Sequence, residues 1–544
     1  MKFIPISFPE KNRLFHAYLE RSPSIQSFYN KIPGESLTDL LHHISRRSYA
    51  RDSLVACLIT QNHLWGASSA TLENIYRLKS NFTLAVVTGQ QAGVFGGPLY
   101  TLYKVMTTIQ QARILCKQYP DYHFVPIFWL EVDDSDFDEI DHIHYIDRHN
   151  RLQRLELPES EREQGKPIFH RKLPPAMADW FRRIREDFFD TEFKSDVLNR
   201  YAHCYAPGRS YPDALACLLL SLFSDSGLIV LNPTAPEIKR LGIPLFKTIL
   251  HQGEALTMAF QERNRALQQA GFAPQIQLNP SHTFLFFIDQ DGRRVRIERQ
   301  NTTTLRLKYP NGYRPMAQEQ VQAFMEKHPE RFTTNVVSRP LFQDSLLPTI
   351  KYIAGPAEVA YFAQLHAIYL RLNIPMPVIH PRHRITVVES KIQKILQKYH
   401  LDYTTIFQKQ HQLLNEKLQQ QAIAQPVIQK FLEIQHNVDR QLESLLPELD
   451  AYDPTLIKAL QHTRTAIQNH LNKFQQKLER SFQQQHQTLT RQLEKMLLYF
   501  FPHHAPQERV LNMIYFQIKY GWPFPNQLLG EMPQDTWPHW IIEL

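Results

Sequence analysis

Residues 84–104 read LAVVTGQQAGVFGGPLYTLYK. The opening run of Leu84, Ala85, Val86 and Val87 is short, apolar and closed by glycine, the pattern of a buried strand. Four of the chain's 17 glycines follow within nine residues: Gly89, Gly93, Gly96 and Gly97. Glycine suits positive φ or close approach of backbone to a ligand. Pro98 lacks a backbone donor and fits the first turn of a helix. From Leu99 onward Leu102, Val105 and Ile109 form one helical stripe, with Lys104 beside it. Strand, glycine loop and helix N-terminus together make a geometry that binds anions, because free N–H groups and the helix dipole converge there. A tight structural turn is the alternative reading.

The next apolar run, FVPIFWLEV at 124–132, completes a strand–helix–strand unit. Such a unit predicts parallel strands in a doubly wound sheet. Glu131, Asp133, Asp134, Asp136, Asp138, Glu139 and Asp141 crowd the end of this second strand. In such sheets ligands bind beyond the carboxyl ends of the strands, so the glycine loop and the acidic burst are expected to face one crevice. Carboxylates there suit an amine, a metal with phosphates, or a proton in general-base work. A solvated loop capping the next helix is the alternative.

The same grammar recurs at 334–390. Ser338-Arg339-Pro340 and Gln343-Asp344 precede an apolar run, and Gly355-Pro356 opens a helix containing Glu358, Tyr361 and Gln364. MPVIHP, 376–381, reads as the last core strand, with Arg382, His383 and Arg384 just past its carboxyl end. Arginines at that edge suit a phosphate or carboxylate, or a solvated helix flank. His383 alone reads as structural.

The remaining segments organise around this core. Residues 1–80 look helical and mixed in polarity, and packing is their expected role. Residues 150–210 are charged and broken by prolines, as an insertion would be. DALACLLLSLF at 213–223 is a buried helix carrying Cys217, GLIVLNP at 227–233 a third core strand, and a helix is expected from Pro236 to Leu267. TFLFFIDQDGRRVRIER at 283–299 alternates around Asp291-Gly292, a hairpin signal within a second insert at about 275–330.

From Ile385 the composition shifts to Gln, Lys, Glu and Leu. Leu460, Ile467, Leu471, Phe474, Leu478, Phe482, Leu489, Leu493 and Met496 fit a coiled-coil seam. An antiparallel partner runs through Phe431, Ile434, Val438, Leu442 and Leu445, with the break at Pro447 to Pro454. So thin a seam predicts completion by a second copy; a hairpin resting on its own core is the alternative. PQERVLNMIYFQIKYG, 506–521, reads as an amphipathic helix returning to the core. The expected domains are 1–384, 385–505 and 506–544.

Bulk properties narrow the function. The 544 residues carry 61 basic and 53 acidic side chains, a net +8 that is diluted and shows no Lys/Arg block, which argues against nucleic acid. The four cysteines, Cys57, Cys116, Cys204 and Cys217, have no C-x-x-C spacing, against zinc ribbons and redox motifs. Their sparseness fits a reducing cytoplasm. The N-terminal MKFIPISFPEKNRLF lacks the apolar core of a signal peptide, and no apolar run is long enough for a membrane span.

Six blocks, in order, are similar to the BshC family, cysteine-adding enzymes of bacillithiol biosynthesis. They are GQQAGVFGGPLYTLYK, PIFWLEVDDSDFDEIDHI, RPLFQDSLLPT, GPAEVAYFAQL, MPVIHPR and PQERVLN. The resemblance implies an α/β fold with a Rossmann-like parallel-sheet core similar to class I nucleotidyl transferases and cysteinyl ligases. It also implies connecting inserts and a C-terminal helical coiled coil that supports a homodimer. The implied reaction adds L-cysteine to glucosaminyl malate, forming an amide at the sugar amine. Two departures stand out. The family commonly reads Glu-Asp-His-Asp where this chain has Asp133, Asp134, Ser135 and Asp136, and the family's histidine before the helix lysine is Tyr103 here. The His-x-Gly-His motif of class I nucleotidyl transferases is also missing. These departures weigh against histidine-assisted phosphate chemistry and leave the acidic and glycine elements.

Location and resemblance together nominate Asp134, Asp136 and Lys104 for catalysis. They nominate Gln90, Gln91, Gly93, Gly96, Gly97, Tyr100, Asp133, Gln343, Asp344, Gly355, Glu358, Tyr361, Arg382 and Arg384 for substrate or nucleotide binding. ATP or another nucleotide is the candidate activator, and no metal site is expected. The expected partners are cysteine, glucosaminyl malate and a second copy of the chain, without nucleic acid or membrane, in the cytoplasm. The competing reading is a catalytically silent nucleotide-binding coiled-coil dimer acting as a scaffold.

Overall fold

Five parallel strands form the central sheet of the chain's first compact unit in the computed structural model. They are β1 (Thr83–Gln91), β2 (His123–Glu131), β3 (Ile229–Leu231), β4 (Thr349–Ala354) and β5 (Val378–Pro381), in the spatial order β5-β4-β1-β2-β3. Every neighbouring pair is parallel. The structure describes all residues except positions 9, 11, 160–162, 310–311, 410–411, 414–423 and 454, and the side chains at 424–426, 428, 482–483 and 485–486. Pro454 and the Phe482 side chain, both part of the expected helical segment, therefore lie outside the described residues. Two compact units are present: residues 1–387 with 505–542, and residues 388–504 with 543–544.

The strands are apolar throughout because the sheet is covered on both faces. Along β1 successive side chains alternate sides. Ala85 and Val87 join a cluster with Ile127, Leu231, Tyr352 and Phe342, whereas Leu84 and Val86 join Leu41, Ile44, Leu115 and Ile353. Each fully buried aliphatic side chain contributes about 1.5–3 kcal/mol relative to exposure.

The glycine loop between β1 and helix α1 (Leu99–Gln118) folds back on itself. Phe95, Gly96 and Gly97 all have positive φ, at 53°, 85° and 67°. Gly97 pairs its φ with ψ −156°, a combination essentially confined to glycine. A Cβ on Gly93 would lie 3.0 Å from the Gly97 Cα. The Phe95 ring sits among Trp180, Phe181, Tyr201 and Tyr205, with centroids 4.9–5.8 Å away. Asn512 donates to the carbonyls of Phe95 and Gly97 at 3.0 and 2.6 Å. Behind the loop stand α2 (Lys194–Cys204) and α3 (Tyr211–Leu222), joined by a Cys204–Cys217 disulfide with a Cα separation of 5.5 Å. Two of the sparse cysteines are thus bonded, because the loop's packing brings the two helices within disulfide reach.

Several local expectations shift. The helix expected from Pro236 to Leu267 is two helices, Pro236–Leu241 and Ile243–Gln269, broken at Gly242, where a Cβ would strike the Phe342 ring. The hairpin around Asp291-Gly292 belongs to a separate five-stranded antiparallel sheet that also includes Phe332–Thr334. Ile385, where the helical composition begins, lies in a strand, Arg384–Val388, which pairs with His539–Glu543, itself beside Lys2–Ile6. The returning segment is a short turn at Gln507–Arg509 and a helix at Ile514–Tyr520 rather than one continuous helix.

The second unit contains two long helices, α5 (Ala424–Ser444) and α6 (Leu456–Phe500), joined through a short helix at Leu446–Tyr452. Phe431 meets Phe474 at 5.2 Å between centroids, and Arg464 binds Asp439 at 2.6 Å. Ile434 and Phe474 nevertheless stay 49% and 52% exposed, so the seam within one chain is only partly covered.

The strained glycine loop makes one expectation direct. Gly97→Ala is expected to lower unfolding stability by about 1–3 kcal/mol, the usual cost of such a backbone outlier, as read from chemical denaturation. An unchanged midpoint would show that the loop tolerates a side chain.

Candidate functional site

A cavity of about 420 Å³ opens beyond the carboxyl ends of β1, β2 and β4, lined by residues from every block that the sequence singled out. Gln90 and Gln91 reach it from the end of β1, Tyr100 and Lys104 from the start of α1, and Glu131, Asp133, Asp134 and Glu139 from the end of β2 and the loop after it. Gly355, Glu358 and Tyr361 come from the start of α4 (Pro356–Arg371), and Arg382 from just past β5. A crevice does open at these strand ends, where β4, β1 and β2 are neighbours, and the acidic residues after β2 reach it, but the glycine loop expected to face it does not.

Lys104 is at the centre of the polar wiring. Its ammonium, 3% exposed, donates to the Gly89 carbonyl at 2.7 Å and to Gln90 Oε1 at 3.0 Å, and pairs with Glu358 at 2.5 Å. Glu358 also accepts from the Gly355 N–H and the Tyr352 hydroxyl, each at 2.7 Å. Burial alone would raise the Glu358 carboxyl, but the Lys104 charge and these donors hold it below its ordinary value. Glu358 thereby caps α4 with the side chain at its third position.

The other charges are paired in the same way. Asp133 accepts two bonds from Lys239, at 2.8 and 3.0 Å, and two from Thr334. Asp134 binds Arg294 at 3.0 Å. Arg382 forms a two-pronged bridge to Glu508 at 2.8 and 2.9 Å, and its guanidinium lies 5.6 Å from the Tyr100 ring centre. Arg339 approaches Glu131 at 3.3 Å and donates to Gln343, Tyr352 and Tyr361. Gly89 has a definite role here: a Cβ there would come within 2.9 Å of Glu131 Oε1.

Seven nominated residues do not line the cavity. Gly93, Gly96 and Gly97 are outside it because the loop's N–H groups are already used. Gly93 donates to Gln91, Val94 to Ile140, Gly96 to Gly93 and Tyr205, and Gly97 to Val94. The loop is a structural turn at these positions, not an anion cradle. Asp136 is exposed and does not line the cavity. Gln343 and Asp344 lie one layer behind, where Gln343 supports Arg339 and donates to Asp344, and Asp344 accepts the Tyr369 hydroxyl at 2.6 Å. Arg384 points instead towards Glu10 and the Trp537 carbonyl. His383 bonds Thr107 and the Pro533 carbonyl, and burial pushes it down to about 4, so it stays neutral and structural.

Sequence reasoning missed Arg294, Arg339 and Arg509 as cavity residues and gave Glu131 and Glu139 no individual role. Arg339 and Arg509 carried a signal, since each lies in a block quoted for the resemblance. Arg294 sits in a hairpin strand whose placement against β2 no local pattern encodes. Among the described residues no cluster of three or more His, Cys, Asp or Glu side chains is arranged to hold a metal, and no helix is long and apolar enough to cross a membrane.

A Rossmann-like parallel sheet with a charged cavity at its carboxyl edge, followed by a long helical hairpin, defines the class of this protein. The profile described as "Bacillithiol biosynthesis BshC, N-terminal Rossmann-like domain" matches residues 1–383, and "Bacillithiol biosynthesis BshC, C-terminal coiled-coil domain" matches 385–544. The chain belongs to the BshC family. It is 34% identical to a Salinibacter ruber protein over 92% of this chain and 90% of the relative. Identity to a Chloroherpeton thalassium protein is 32%, covering 89% and 87%. With a Geobacillus thermodenitrificans protein it is 28%, over the full length of both. All three bear the name "Putative cysteine ligase BshC".

The layer behind the cavity yields a pH signature. Burial pushes Asp344 up to about 6, whereas an unfolded aspartate titrates near about 4. Between those values the folded state holds the proton more tightly, so this group's contribution favours folding at the acid end and is lost as pH rises towards 6. Asp344→Asn is expected to lack that slope, so the difference between the two proteins' denaturation midpoints should change between about pH 4 and pH 6. Parallel profiles would place Asp344 in a solvated setting instead.

Proposed function

We propose that this protein joins the carboxyl group of L-cysteine to the amine of glucosaminyl malate, forming the amide of bacillithiol. The observation that carries the reading is the match of both domains to one family whose members bear a cysteine-ligase name. The cavity's chemistry supports it. A carboxylate must be activated before an amine displaces its oxygen, and a nucleotide phosphate is the activating group we favour. Arg382, Arg509 and Tyr100 line one stretch of wall and suit phosphate or malate carboxylate oxygens. Lys104, fixed by Gly89 and Glu358, is the candidate for stabilising charge that develops at the reacting oxygen. Asp133 and Asp134, each held by a cation, are assigned to orienting the substrates, and Asp136, which does not line the cavity, loses its catalytic nomination.

In the same reading the protein works in the cytoplasm as a homodimer. The half-covered seam of α5 and α6 supports pairing with a second copy. Leu471→Glu combined with Leu478→Glu is expected to give monomers by light scattering, and an unchanged mass would assign pairing to another surface.

The ligase reading itself is tested by mass spectrometry. Purified protein is expected to consume glucosaminyl malate in a cysteine-dependent way, with ATP present and absent as separate arms. No consumption in any arm would overturn it. Lys104→Gln together with Glu358→Gln leaves no buried charge uncompensated. That variant is expected to keep its melting behaviour and lose about a hundredfold or more in kcat/KM.

A further inference from the structure

Five carboxylates line the cavity: Glu131, Asp133, Asp134, Glu139 and Glu358. Four are matched by a cation within 4 Å, namely Arg339, Lys239, Arg294 and Lys104 respectively. Among the described residues Glu139 has no such partner; the Gln91 side chain, which also lines the cavity, is a polar neighbour. A carboxylate locked onto a guanidinium or ammonium is a poor proton acceptor, because the cation stabilises its charged form. Glu139 alone is left free to accept.

Its position is also fixed. The turn that carries it is anchored by buried Phe137 and Ile140, with Ile140 N–H donating to the Phe137 carbonyl at 2.9 Å. The Ile140 carbonyl in turn accepts the Val94 N–H of the glycine loop at 3.0 Å. The loop that resembles an anion cradle thus works as the anchor of the Glu139 turn.

We infer that Glu139 is the general base that takes the proton from the attacking amine, an assignment that rests on the ligase reading above. In this step the amine nitrogen's lone pair forms the C–N bond to the cysteine acyl carbon, carried as the mixed anhydride formed when the cysteine carboxylate displaces diphosphate from the α-phosphate of a nucleoside triphosphate. The C–O bond of the anhydride breaks and its electron pair leaves on the phosphate oxygen. The N–H proton passes to the Glu139 carboxylate and then to water. Glu139 is an exposed residue whose carboxyl is only partly desolvated; that desolvation raises it above its ordinary value, and the charges of Asp136, Asp134 and Glu131 add to the rise. Tyr100 from α1 and Arg509 from the returning segment line the same cavity. A raised carboxylate is a stronger base, and its ionised form is lost as pH falls through that raised value, which predicts an acid limb in the rate profile.

The test compares wild type, Glu139→Gln and Glu139→Asp in the cysteine and glucosaminyl malate assay across pH, with melting curves for all three. The expected result is a loss of about a hundredfold or more in kcat for Glu139→Gln at unchanged melting temperature. Its acid limb should vanish, and Glu139→Asp should recover part of the rate together with a limb. An active wild type with Glu139→Gln retaining both rate and limb overturns the base assignment and leaves the ligase reading standing. A wild type inactive in every arm overturns the reading and the assignment with it. If Glu139→Gln unfolds, the Glu139→Asp profile decides: a limb identical to wild type at full rate refutes the role.

Discussion

The Lys104–Glu358 pair ties the site together. Parallel register sets Tyr352 of β4 beside Val87 of β1, so the helices that follow these two strands start next to each other. Lys104 near the start of α1 and Glu358 in the first turn of α4 then meet under the strand ends, with Tyr352 and the Gly355 N–H completing the carboxylate's partners. Such a pair adds little net stability, because desolvation offsets its Coulomb gain, yet losing one member leaves a buried charge that costs about 3–5 kcal/mol. Its effect is to make one arrangement of the two helix starts far better than any slipped alternative.

The same constraint runs through the cavity wall. A crevice holding Glu131, Asp133, Asp134, Glu139 and Glu358 within a folded core is tolerable only if cations are interleaved. Lys239, Arg294, Arg339 and Lys104 come from four different segments to meet that need. Two of them are delivered by distant parts of the first unit: Arg294 from the antiparallel sheet and Lys239 from a short helix after β3. The inserts are therefore part of the site's electrostatics. Arg382 is neutralised by Glu508 of the returning segment, which also presents Arg509 to the cavity.

The glycine loop shows how a local pattern can be read correctly as geometry and wrongly as chemistry. Its positive φ values and close approaches are real, but the N–H groups that would bind an anion are consumed by Ile140, Tyr205 and the loop's own carbonyls. The aromatic box around Phe95 and the Asn512 side chain, both remote in sequence, decide that outcome.

The sequence by itself determined the strands at β1, β2 and β5, the helices that follow β1 and β4, the long helical segment, and the strand ends where polar residues converge. These follow from periodicity and from glycine and proline positions, which act over a few residues. Family membership was legible in six ordered blocks. The pairing of charges was not legible, because whether Asp134 meets Arg294, or Asp136 meets solvent, depends on segments brought together from far along the chain. The same holds for Arg384, three residues beyond β5, which pairs with Glu10 outside the cavity while Arg382, directly after the strand, lines it. Residue type and spacing limit what a side chain is able to do; only the tertiary structure decides which opposite charge reaches it first, and so which carboxylate remains free.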